Sequence, residues 1–174
     1  MSCSNKAVAD IVNACRSVKG LKNKAWIFNN GDFTLTIANN VLSAIVKIGA
    51  VTAFTAEGTK DFMNAGHEAV VTAGMPTAYK HKWTISATSA TAAEKANVDK
   101  ADNIFVVVQN NDGTFSAFGI NYGLWKTAQS KMANDNNGLT AVEFASMEGM
   151  EETYSEYSFN TATDELAYLT ALES

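Results

Sequence analysis

The stretch Ile104-Phe105-Val106-Val107-Val108-Gln109-Asn110-Asn111-Asp112-Gly113-Thr114-Phe115 decides the fold class of this 174-residue chain. Its apolar run is too short for a helix and dominated by β-branched side chains, which predicts a strand buried on both faces. Asn110-Asn111-Asp112-Gly113 then supplies residues that tolerate positive φ, so the chain is expected to return through Thr114 to Ile120 as the second arm of a hairpin.

Outward from that hairpin the period of two persists. Tyr79, His81, Trp83 and Ile85 alternate with Lys80, Lys82, Thr84 and Ser86, the pattern of a strand with one covered face. Thr91-Ala92-Ala93-Glu94 reads as a capping box opening a helix to Ala101. Strands are also expected at Ala25 to Phe28, Phe33 to Ile37, Val41 to Ile48, from Gly123-Leu124-Trp125, at Leu139 to Met147 and at Thr153 to Phe159. Asn29-Asn30-Gly31-Asp32 and Asn39-Asn40 supply turns. Val8, Ile11, Val12, Cys15 and Val18 lie on one helical stripe, and Thr161-x-x-Asp164 can cap a terminal helix presenting Leu166, Leu169 and Leu172. Residues 49–74, with Gly58, Gly66 and Gly74, lack a clear strand pattern and are expected to form an extended loop, hairpin or arm. The reading is a mainly β protein, a β-sandwich or barrel with one packed side helix and short helical termini, in a single domain over 1–174. Trp83, Ile85, Phe105, Val107 and Phe115 are expected to form its barrel core.

Charged residues make up 18% of the chain, below the ~25% of ordinary soluble proteins, and Ala, Thr, Ser and Asn take their place. Short side chains lose little entropy when a neighbour covers them, which suits assembly. Residues 1–131 hold all 13 basic and 9 acidic residues, a balance of +4, whereas residues 132–174 hold 9 acidic residues and no base. No signal-peptide pattern and no ~20-residue apolar span occurs, so a soluble, non-secreted product without membrane contact is expected. Cys3 and Cys15 are expected as free thiols in a reducing cytoplasm.

Little in the sequence advertises catalysis. His67 and His81 have no cysteine or carboxylate at ligand spacing, and His81, on the apolar face of a strand, reads as a satisfied core imidazole. Cys15 has no local base, and no phosphate-cradling glycine loop or nucleophile elbow is present. The expectation is therefore a non-enzyme with no catalytic residue, no metal and no cofactor. Glu148, Glu151, Glu152 and Glu156 form an acidic cluster, read as a solvated rim available either for subunit contact or for lining a channel. Lys80 and Lys82 beside Trp83 are too few for a nucleic-acid reader in a chain of pI about 5.0.

The order of elements from Tyr79 to Phe159 resembles the tail-tube and tube-like ring proteins of tailed bacteriophages. The matching segments are Lys80-His81-Lys82-Trp83-Thr84-Ile85, Thr91 to Ala101, Ile104 to Phe115, Phe118-Gly119, Gly123-Leu124-Trp125, Asn137-Gly138-Leu139-Thr140 and the acidic close at Glu148 to Glu152. They cover just under half the chain. The Asn- and Ala-rich texture and the Cys-Ser N-terminus also resemble structural proteins of phages of Bacteroides-type hosts, including crAss-like phages.

The resemblance implies a virion structural protein, assembled in the host cytoplasm, that forms a homo-oligomeric ring in the neck or tail. It also implies neighbouring ring proteins as partners and double-stranded DNA passing through the lumen without sequence-specific contact. Residues 49–74 depart from the family pattern by lacking clear strands where such proteins place an inter-ring hairpin. An alternative from another class is a capsid-decorating or adhesin-like β module that binds a surface or glycan.

Overall fold

A computed structural model describes residues 20–57, 63–87, 92–131 and 140–173. In chain order the strands are β1 (Leu21–Asn29), β2 (Phe33–Ala38), β3 (Val41–Lys47), β4 (Phe54–Glu57), β5 (Met63–Val70) and β6 (Ala78–Ala87), followed by helix α1 (Ala92–Lys100). Then come β7 (Asn103–Asn110), β8 (Phe115–Phe118), β9 (Leu124–Lys131), β10 (Thr140–Ala145), β11 (Tyr157–Phe159) and helix α2 (Glu165–Ala171). The protein is mainly β, as its sequence predicts. The strands join into one mixed sheet in the order β2-β3-β11-β8-β7-β9-β10-β6-β5, with β1 on the other side of β7 and β4 on the far side of β1. Among the described residues only the β11–β3 pairing is parallel.

The apolar run is the hub of the sheet. β7 pairs with β1 along one side and shares its other side between β8 and β9. Because side chains alternate along a strand, β7 feeds two cores. Phe105 and Val107 enter one with Trp26, Phe28, Phe33, Leu42, Ile45, Phe115 and Phe159, while Ile104, Val106 and Val108 enter the other with Trp83, Leu124, Val142 and Phe144. The expected single barrel core is thus split. Trp83 and half-buried Ile85 lie on one side of β7, and Phe105, Val107 and Phe115 belong to the other, because the sheet curls to cover both faces of its central strand. In the first core the Phe28 and Phe105 rings stack at 4.7 Å and Phe33 meets Phe105 edge-on.

The β7–β8 hairpin forms as its turn residues require, with Gly113 at φ 89°. The turn at Asn30-Gly31 does something else. β1 and β2 do not pair, and instead the main chain of Asn30 bonds to Asn103 while β2 turns away to pair with β3. Residues 49–74 carry two strands rather than a bare arm: β4 lies on β1, and β5 forms a hairpin with β6. What projects from this region is the hairpin tip, residues 71–77, all of them exposed. Asp164 caps α2 by accepting from the Ala167 N–H, and the helix buries Leu169 and Leu172 while Leu166 stays outside. At the C-terminal end of α1, Lys126 donates to the carbonyls of Val98 and Asp99, satisfying acceptors that a helix end leaves open. The N-terminal stripe, both cysteines, Thr91 and residues 132–139 lie outside the described residues.

Candidate functional site

The alternation of β6 carries His81 inward, where it has no exposed surface. β10 accompanies β6 from Lys82 to Ala87 and then stops. Beyond that point the segment 146–156 takes its place, like a strap across the end of the strand. Ser146 exchanges bonds with His81, its N–H donating to the His81 carbonyl at 2.9 Å and its hydroxyl accepting from the His81 N–H at 2.9 Å. Glu152 and Tyr79 exchange main-chain bonds of 2.8 Å in both directions.

The imidazole of His81 is held between two main-chain groups of opposite polarity. The Gly119 N–H donates to Nδ1 at 3.0 Å, and Nε2 lies 2.8 Å from the Tyr154 carbonyl. Only the neutral tautomer with its proton on Nε2 satisfies both, because Nδ1 must present a lone pair and Nε2 a hydrogen. Burial holds the pKa of His81 below its ordinary value, against the Tyr154 bond and the Glu152 charge that favour the imidazolium. Both nitrogens are occupied, so His81 offers no metal-binding lone pair. Its cross-strand partner on β5 is His67, which is exposed and packs its ring edge-on against Tyr79 at 5.3 Å.

Glu152 is likewise fully buried. Its Oε1 accepts from the main-chain N–H groups of Asn121 at 2.9 Å and Tyr122 at 3.3 Å, and its Oε2 from Asn121 Nδ2 at 2.8 Å and the Tyr157 hydroxyl at 3.0 Å. Asn121 Nδ2 also donates to the Tyr157 oxygen. Burial, and then the Glu152 charge, push the Tyr157 phenol far above its ordinary pKa, so it remains a donor. A carboxylate with four donors around it tolerates burial. The group ties three separate parts of the chain together: the strap, the 119–123 loop and β11.

The expected acidic cluster therefore separates. Glu152 points into the protein and cannot serve as a contact or channel residue. Glu151 lies 3.9 Å from Lys80 and also accepts from the Gly149 N–H. Glu148 and Glu156 are exposed, and among the described residues neither is bonded to a partner. The reason is local: residues 148–156 turn back on themselves through a bond from the Met150 N–H to the Met147 carbonyl and the bridge at Tyr79, so consecutive carboxylates face different ways. Lys82, the other lysine of β6, pairs with Glu143 across to β10. Nothing in the sequence marked Asn121, Tyr157 or Gly119 as partners of His81 and Glu152. The only signal was the apolar face of β6, which places His81 inside.

A trough of about 500 Å³ opens between the starts of β1 and β5 and the β7–β8 hairpin, lined by Leu21, Met63 and Phe118 as well as Asn64, Asn111 and Glu156. Among the described residues no group of three or more His, Cys, Asp or Glu side chains is arranged to hold a metal ion, and no helix is long and apolar enough to cross a membrane. No protein-family model matches the chain, and no curated protein or solved structure matches it.

Proposed function

We propose that the protein is a structural subunit which assembles through its sheet edges into an oligomeric ring of a tailed-phage neck or tail, with neighbouring ring proteins above and below and double-stranded DNA passing through. The observation that carries this reading is the state of the sheet's end strands. Among the described residues β2 pairs only with β3, and β5 only with β6, so each leaves a row of main-chain donors and acceptors on its outer side. Natural monomers blunt such edges with charge or proline. β2, Phe-Thr-Leu-Thr-Ile-Ala, has neither, and the adjoining Val46 and Ile48 are more than half exposed. Joining the edge of one subunit to the edge of the next removes the exposed row, and a heterologous contact of this kind closes into a ring when the rotation permits. The resemblance of the Tyr79–Phe159 segment to tube-like proteins points the same way. Light scattering and electron microscopy of the purified chain, alone and with its neighbouring ring proteins, test it: rings or templated rings support the reading, and a monomer under both conditions defeats it.

The trough favours a second reading, that of a decorating or adhesin-like module. The Asn64 and Asn111 amides and the Glu156 carboxylate offer donors and acceptors to a polyhydroxylated ligand beside the apolar side chains of Leu21, Met63 and Phe118, while the Asn110 amide is committed to the Thr114 and Ser116 hydroxyls. Saccharide-induced NMR shifts confined to Asn64, Asn110, Asn111 and Ser116 would favour it over the ring.

A further inference from the structure

We propose that residues 146–156 are an acid-released strap, with His81 as the group whose protonation lets it go. The strap is fastened to β6 by main-chain bonds at Ser146 and Glu152 and to the imidazole through the Tyr154 carbonyl. It is fastened to the 119–123 loop through Glu152. Every one of these fastenings passes through His81 or lies within two residues of it along β6, except the Glu152 carboxylate itself.

A second proton on His81 has one place to go, Nδ1, where the Gly119 N–H already points at 3.0 Å. The imidazolium therefore loses that bond and sets two N–H groups against each other in a site walled by Phe118, Tyr157 and the strap. The charged and titratable groups that face the ring come from several elements. From the strap, Glu152 favours the imidazolium, but its oxygens are already committed to Asn121, Tyr122 and Tyr157. From β5, His67 opposes it once it carries charge of its own. The Tyr157 ring packs edge-on against the imidazole with its hydroxyl bonded to Glu152, and on β6 Lys80 is engaged with Glu151 of the strap. Burial decides the balance against the proton.

Opening the strap exposes the ring to water, and there its ordinary affinity for a proton returns. The linkage has a definite sign. A histidine depressed in the closed form leaves closure intact above its ordinary value of about 6.5 and weakens it as the pH falls through that value toward the lower closed-form pKa. Release would loosen a turn whose outward residues, Met147 and Met150, are already exposed.

The test is hydrogen exchange on the full chain between about pH 8 and pH 5, corrected for intrinsic rates, read at the Gly119, Ser146 and Glu152 amides and at those of β7. Opening at the two strap amides and at Gly119, whose N–H meets the ring, should rise by about tenfold per pH unit below about 6.5, the slope of one linked proton, while β7 stays protected. His81→Gln, which cannot titrate, should flatten that dependence. Should this variant fail to fold, the imidazole nitrogen shifts of the wild-type protein serve instead, and His81 should protonate only as the strap amides open. The proposal is overturned if the strap keeps its protection to pH 5, if β7 and the strap lose protection together, if His81→Gln retains the slope, or if the ring titrates with the strap closed.

Discussion

Asn121 gives Glu152 two hydrogen bonds, one from its main-chain N–H to Oε1 at 2.9 Å and one from its side-chain amide to Oε2 at 2.8 Å. One residue thus spans both oxygens of a buried carboxylate, and the bond from Tyr157 completes the cage. Glu152→Gln keeps the shape but turns one acceptor into a donor, aimed at groups that themselves donate. It should lower stability by about 1–3 kcal/mol, the cost of leaving buried polar groups unpaired. Glu148→Gln and Glu156→Gln, on exposed positions, should stay within about 0.5 kcal/mol of wild type. Urea unfolding of the three single variants checks the ranking, and equal effects would mean that Glu152 is not caged.

Gly119 combines a φ of 74° with a close neighbour, since a Cβ there would stand 2.5 Å from Leu124 Cγ. Gly31 has a φ of 98° and open space around it. Alanine at either position carries the strain of a left-handed backbone, about 1–3 kcal/mol. Gly119→Ala must in addition displace Leu124 from the second core and disturb the bond to His81, so it should be the more destabilising of the pair. Thermal melts of both variants decide, and a Gly31→Ala protein that melts lower than Gly119→Ala would refute the packing argument.

Phe105 has no exposed surface and stacks on Phe28, whereas Phe54 on β4 is 44% exposed. Phe105→Ala should cost about 3–5 kcal/mol through lost burial and the cavity left behind. Phe54→Ala should cost well under half as much. An unchanged melting temperature for Phe105→Ala would remove β7 from the centre of the fold.

Thr34 and Thr36 are exposed on β2, alternating with Phe33, Leu35 and Ile37, which face the first core. Thr34→Lys with Thr36→Lys should leave the monomer folded, because surface substitutions of this kind move stability little. Lysines on an edge strand oppose pairing with another chain, so the double variant should assemble less completely than wild type at equal concentration. Sedimentation velocity measures it. Unaltered assembly would show that β2 is not the joining edge.

Some of this architecture was legible in local residue order. The run from Ile104 to Val108, the turn at Asp112-Gly113, the alternation from Tyr79 to Ile85 and the cap at Asp164 each carry their own geometry, since period and turn chemistry act over a few residues. They predicted a buried central strand, a hairpin, an inward His81 and a terminal helix, and all four are present. The strands β4 and β5 were not legible. Phe54–Glu57 and Met63–Val70 are short or largely exposed, lack a two-residue period, and are strands because β1 and β6 offer them hydrogen bonds.

That the protein is mainly β, which strand lies at its centre and which face of β6 turns inward can all be read from residue order alone. That β7 separates two cores, that Asn30-Gly31 leads away from β1 instead of closing a hairpin, and that one of four neighbouring glutamates is buried emerge from long-range packing. The difference is one of range. Side-chain alternation and turn preference are properties of neighbouring residues, whereas the partners of Glu152 at Asn121, Tyr122 and Tyr79, and those of His81 at Gly119 and Tyr154, lie far from it along the chain, and a buried charge is permitted only where such partners meet.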